Sequence, residues 1–209
     1  MKRSVIFILL MGFVCAGMSY GQDIKNKDVK AMRGARKEAK QFEKDGYYVA
    51  PGALPMDKQL EQAWAKQLET DDMGFPMYIT AEATSLGETQ IAAQMQALEV
   101  AKTNLAGQIA TTVGALIETN VANQQLNADE AASVTKTVAG AKNLIAQEIG
   151  RTITLFKIYK KSGKNIECNV RIAYNQEMAL EQAKKVIRQQ LEEETELVQA
   201  KLDKLMDFE

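Results

Sequence analysis

Histidine is absent from the 209 residues. That removes the commonest general base and the commonest metal ligand, so Ser-His-Asp, Cys-His and HExxH sites are impossible. The other stretches that look like reactive loops fail on spacing. Ser85-Leu86-Gly87-Glu88 offers a single glycine and puts a carboxylate where a bound anion would sit, so it is no phosphate loop. Glu69-Thr70-Asp71-Asp72-Met73-Gly74 is acidic, but its oxygens do not fall at the intervals of a calcium loop. The 27 acidic residues guarantee chance carboxylate pairs, and none sits in a recognisable acid–base context. No cofactor, metal or catalytic residue is therefore expected. The densest interaction chemistry is aromatic. Of six Tyr, six Phe and one Trp, five gather within 47–78: Tyr47, Tyr48, Trp64, Phe75 and Tyr78. They either pin the segment around Pro51 and Pro55 to the body of the protein, or form a patch for a protein partner or glycan, since aromatics are enriched at interfaces.

These residues need a folded scaffold, and the composition supplies one. The chain is 46% hydrophobic and 25% charged, an ordinary globular balance. A formal charge of -1 gives no basic excess that would point to nucleic acid. The first residues read as an export leader. Lys2 and Arg3 precede an apolar run over 5–14, and Ser19 and Gly21 suit the -3 and -1 positions of cleavage after Gly21. The run is shorter than the ~20 residues that span a bilayer. Phe13 and Val14 before Cys15 are poor lipobox residues, so cleavage is expected rather than lipidation. Cys168 is then the one cysteine of the mature chain, read as a small buried hydrophobe with no disulfide partner. The resulting division is a leader over 1–21, a helical and extended segment over 22–76, an α+β core over 77–175, and a long C-terminal helix over 176–209.

Periodicity fills in the elements. Residues 23–45 read as a helix with Ile24, Met32, Ala35, Ala39 and Phe42 on one face, stopped by Gly46. Pro51 and Pro55 make 47–55 extended, and 56–70 returns to helix with Leu60, Trp64 and Leu68 spaced by four. Met77, Ile79, Ala81 and Ala83 alternate with polar residues as a first strand. Ser85 and Glu88 have capping-box spacing before a helix to about Val121, with Ile91, Met95, Leu98, Ala101, Leu105, Ile109, Val113 and Leu116 in one stripe. Asn127 and Glu130 repeat the cap before a helix through Val134, Val138, Ala141 and Ile145. Segments 152–160 and 165–174 read as a hairpin. In its second arm Ile166, Cys168, Val170, Ile172 and Tyr174 alternate with polar residues, predicting one buried and one solvated face. The last 34 residues form one helix about 50 Å long, part of which would project. The fold class is α+β: a small antiparallel sheet of about three strands in β-α-α-β-β-α order, packed by long helices.

The stretch Ala97-Leu98-Glu99-Val100-Ala101-Lys102-Thr103-Asn104-Leu105-Ala106 follows soon after Thr80-Ala81-Glu82-Ala83, and a later strand ends Val170-Arg171-Ile172-Ala173-Tyr174. This ordered set, over 77–174, resembles the LPP-twenty family of small bacterial envelope lipoproteins, and the whole chain is similar to secreted proteins of Bacteroidetes-type bacteria. The resemblance implies an exported α+β domain in the periplasm or at the outer membrane, acting as a surface antigen, assembly or accessory protein, and carries no catalytic residues.

The expected function is that of a non-enzymatic cell-envelope structural or interaction protein, working through helical surfaces. The alternative is a small-ligand or glycan-binding module to which Glu167, Asn169 and Arg171 contribute. A carboxylate-pair or Ser-Lys hydrolase is a third reading, and no motif supports it. Charge suggests partners too. Residues 23–45 hold eight basic and five acidic residues, and 176–209 hold five basic and nine acidic. The terminal helices are therefore expected to pair, within the chain or between copies. The basic helix is read as a solvated face, or alternatively as an anchor for peripheral association with the outer membrane.

Overall fold

The computed structural model describes residues 19–123, 126–194, 197 and 199–207. Its elements are α1 (Ser19–Lys44), α2 (Met56–Gln67), β1 (Tyr78–Gly87), α3 (Gln90–Asn123), α4 (Ala128–Gly140), α5 (Lys142–Glu148), β2 (Ile153–Ser162), β3 (Asn165–Asn175), α6 (Gln176–Glu194) and α7 (Gln199–Leu205). The fold is α+β, as the sequence predicts. The leader through residue 18, with Cys15, lies outside the described residues, as do Glu196 and Val198 and the side chain of Ile24. Helix α1 runs across the expected cleavage point.

The alternating segment becomes β3, the middle strand of an antiparallel sheet ordered β1-β3-β2. Register places Glu82 beside Arg171, Ser85 beside Cys168 and Ile158 beside Asn169. A two-residue turn at Gly163-Lys164, with Gly163 at φ +61°, closes the β2–β3 hairpin. Left-handed backbone of this kind is where glycine costs least. One sheet face meets the larger core. Ala81, Ala83, Cys168, Val170 and Ile172 pack there against Ala97, Ala101, Leu105 and Ile109 of α3 and Ile187 and Leu191 of α6.

The other sheet face is covered too, which corrects the expectation of a solvated side. Ala35 and Ala39 of α1 and Leu60 and Ala63 of α2 lie over Phe156, Ile158 and Ala173. The covering face of α1 is alanine, which gives little hydrophobic signal. Ala31 occupies the place expected for Met32, which is exposed.

Three local readings change for physical reasons. Ser85, Leu86 and Gly87 do not cap a helix: β1 continues through Gly87, paired with Ile166. The helix opens at Thr89, whose hydroxyl accepts the Ala92 N–H at 3.1 Å. Helix and strand approach so closely that a Cβ on Gly87 would stand 2.4 Å from the Ala93 nitrogen. Only a stripe of small residues fits such a crossing. Ala93 and Ala97 therefore face the sheet, while Ile91 and Met95 are 72% and 63% exposed. By contrast, the second cap forms as predicted. Asn127 Oδ1 accepts the Glu130 N–H at 2.8 Å and Glu130 accepts the Asn127 N–H at 3.0 Å.

The terminal helix is not a single rod. α7 folds back so that Leu202 and Leu205 join the larger core. The Asn120 amide donates to the Leu205 carbonyl at 3.1 Å, and Lys201 meets Glu130 at 2.6 Å. Nor do the terminal helices pack on one another among the described residues. α1 packs on α2 beneath the sheet, while α6 and α7 pack with α3–α5 above it.

Candidate functional site

Of the five aromatic residues, Tyr47, Trp64 and Tyr78 pack against the smaller core and Tyr48 against the larger one. Tyr47 stands edge-on to Phe42, with ring centroids 5.3 Å apart, and its hydroxyl donates to Glu167. Burial, and then Glu167, hold its phenol well above the ordinary range. Tyr48 exchanges two backbone hydrogen bonds with Tyr159, at 2.7 and 2.8 Å. Trp64 donates its indole N–H to Glu38 at 2.6 Å. The Lys66 ammonium lies 4.1 Å from the centre of the Tyr78 ring. Phe75 alone projects into solvent, 59% exposed. It sits in a turn that Asp71 closes, accepting the N–H groups of Met73 and Phe75 at 3.0 and 2.8 Å. The acidic loop is thus an aspartate-capped turn with its key oxygen already occupied.

The strand positions expected to serve a ligand form a polar cluster between sheet and α1. Alternation along β3 puts Glu167, Asn169 and Arg171 on the face that α1 and α2 cover. Arg171 Nη2 meets Glu38 and Glu82 at 2.6 Å each, and its Nε donates to Glu82 at 2.9 Å. Asn169 donates to the other oxygen of Glu82 at 2.8 Å. Burial disfavours the guanidinium charge, but the two glutamates outweigh it and raise the Arg171 pKa. Its plane also lies 4.7 Å from the Phe156 ring centre. Two carboxylates committed to one arginine do not resemble an acid–base pair of separated roles. The buried Asn169 Oδ1 has no protein partner among the described residues. Sequence reasoning missed Glu38 and Glu82 as members of this cluster. Glu38 is 133 residues from Arg171, and no local pattern links them.

Cys168 is fully buried in the larger core, and burial pushes its thiol up to about 11. A thiol so held is not a nucleophile. Among the described residues no three acidic or sulfur ligands gather to hold a metal ion.

The sheet edges are closed by side chains as well as backbone. In an antiparallel ladder alternate residues turn both backbone groups outward. On β2 these are Lys157, whose N–H donates to Gln59 at 3.2 Å, and Tyr159, bridged by Tyr48. On β1 the carbonyls of Thr80 and Glu82 accept from Gln108 and Asn104, each at 3.3 Å. Asn104 belongs to the alanine-rich stretch and Glu82 to the short strand motif, so the segments that carry the family resemblance meet here.

An open concavity lies on the outer side of α3. Gly107 and Gly114 allow α4 and α5 to approach, the Gly114 Cβ position being 3.1 Å from Val138. Between them runs a groove of about 920 Å³, lined by Thr111, Thr112, Ala115, Thr135, Ala139 and Lys142 among others. No protein-family model, no curated protein and no solved structure matches the chain.

Proposed function

We propose that this chain is an exported, non-enzymatic component of the bacterial cell envelope that binds a protein partner along the outer side of α3, α4 and α5. The observation that carries the reading is the groove of about 920 Å³, open along its length and faced with threonine hydroxyls and small side chains. A partner helix or strand can approach closely there, because Gly107, Gly114 and Ala115 hold no bulk in its path. The polar groups capable of chemistry support the same reading from the other side. Glu38 and Glu82 are both bound to Arg171 between the layers, and Cys168 is enclosed. Export rests on the leader-like segment over 1–21, and envelope membership on the resemblance over 77–174.

Site-specific photo-crosslinking in the native envelope tests this. A crosslinker at Thr112 or Ala115 is expected to give one discrete adduct in the outer-membrane or periplasmic fraction, and one at Lys161 on the hairpin tip none. Equal labelling at all three positions, or recovery only of the free protein in the cytoplasm, refutes the reading.

A further inference from the structure

Helix α1 carries a row of cations that form no ion pair among the described residues. Lys30, Arg33, Lys37, Lys40 and Lys44 recur every three or four residues, opposite the buried Ala31, Ala35 and Ala39. At 1.5 Å per residue the row is about 21 Å long. All five residues are exposed, and none has a carboxylate partner among the described residues. Of the two acids that lie among them in sequence, Glu38 is turned inward to Arg171 and Trp64, and Glu43 is exposed near the end of the row. The fold thus leaves Glu43 as the one exposed acid within 30–44, beside the row's five exposed cations.

Two further features say what meets this row. Apolar groups accompany it: Val29 and Met32 are 45% and 37% exposed, and Val29, Lys30, Arg33, Lys37 and the Trp64 indole line a notch of about 410 Å³. Gly34 makes the notch, since a Cβ there would stand 2.8 Å from the indole ring. In addition, the net-acidic α6 sits on the far side of the sheet. With a Debye length of about 8 Å at physiological salt, a flat surface feels only the near face.

We propose that the α1 row is a membrane-docking face, which lays this helix along a bilayer containing anionic phospholipid. The cations pair with headgroup phosphates while Val29, Met32 and Trp64 reach the headgroup–acyl boundary, the arrangement of an interfacial helix. A nucleic-acid duplex or an acidic protein would satisfy the charges but leave those apolar groups in water. The docking face is independent of the groove beyond α3, and either can fail without the other.

The test uses the protein in the form that cells accumulate, floated with vesicles of phosphatidylcholine containing one-third phosphatidylglycerol. Binding is expected there, but not with phosphatidylcholine alone or in about 1 M salt, where the Debye length falls to about 3 Å. The variant Lys30→Gln/Arg33→Gln/Lys37→Gln/Lys40→Gln should bind about six-hundredfold more weakly, at roughly fivefold for each cation near the surface. Far-UV circular dichroism checks its folding. If it fails to fold, the pairs Lys30→Gln/Lys37→Gln and Arg33→Gln/Lys40→Gln should each lose about twenty-five-fold. A control, Lys136→Gln/Lys161→Gln/Lys164→Gln, should bind like the wild type. Trp64, the single tryptophan, should shift to the blue on binding and be quenched by brominated lipid. Equal binding of the wild type and the α1 variants, no binding to anionic vesicles, binding without a Trp64 response, or tighter binding to duplex DNA or polyglutamate would each overturn the proposal.

Discussion

Replacing Arg171 with methionine removes the cation that ties α1 to the sheet. The side chain is only 12% exposed, and Glu38 and Glu82 are 21% and 34% exposed. Taking one partner from a fully buried ion cluster costs about 3–5 kcal/mol, because the charges left behind stay unpaired. Here the glutamates retain some water, which moves the figure to about 2–3 kcal/mol. Lost stacking on Phe156, 4.7 Å away, adds about 0.5 kcal/mol, which methionine partly restores through its own packing. For a domain of this size 1 kcal/mol is about 2–4 °C in Tm, so Arg171→Met should melt roughly 5–12 °C lower. Urea unfolding followed by circular dichroism and by Trp64 emission measures this. Trp64 reports locally, because its indole bonds Glu38. The triple variant Arg171→Met/Glu38→Gln/Glu82→Gln should recover most of the loss, since neutral side chains carry no stranded charge. If Arg171→Met unfolds within about 0.5 kcal/mol of the wild type, the ions do not hold the layers together and the argument fails.

The remaining predictions address separate elements. Cys168 should resist thiol reagents in the folded protein at pH 8 and react on unfolding. Its raised thiol pKa favours folding below the ordinary value of 9.0, an advantage lost as pH rises towards about 11, so alkaline titration with a thiolate absorbance readout should show delayed ionisation. The Glu130 carboxylate is held below its ordinary range, first by Lys201 and then by the Asn127 N–H. That contribution is present at neutral pH and lost as pH falls through the lowered value. Hydrogen-exchange protection in α7 should therefore fall on acidification before protection in β3 does, and simultaneous loss would count against it. Gly87→Ala should cost about 2–3 kcal/mol, because its Cβ meets backbone 2.4 Å away, whereas Gly140→Ala, with nothing within 4 Å, should be neutral or stabilising by up to about 1 kcal/mol. Comparable urea midpoints for these two variants would refute the close crossing of β1 and α3.

The parts legible in sequence are those whose residues solve their problem locally. Asn127 and Glu130 cap each other across three residues, and the alternation through Cys168 and Val170 needs only a neighbouring strand. The parts that were not legible depend on distant residues. Ser85 and Glu88 have good capping spacing, yet pairing with Ile166 extends β1 through Gly87, and Thr89 takes the cap. Ile91 and Met95 look like core, but the tight crossing at Gly87 admits only Ala93 and Ala97. Similarly, Arg171 falls at a polar position of an alternating strand and reads as solvated, because its cover comes from 133 residues away.

The same reasoning explains why the charge on α1 could be counted but not weighed. Over 23–45 five acids stand among eight bases, and on a free helix neighbours three or four apart largely offset one another. Glu38 has no base three or four residues away, since Arg33, Lys37 and Lys40 stand five, one and two residues from it. It turns instead to Arg171 and Trp64, each with a contact of 2.6 Å, and this ion pair fixes α1 to the sheet. The acid placed to temper the row is Glu43, which is exposed three residues after Lys40. Glu43→Gln should therefore tighten binding to anionic vesicles by up to about fivefold, whereas Arg171→Met, in a variant that is still folded, should leave that binding unchanged.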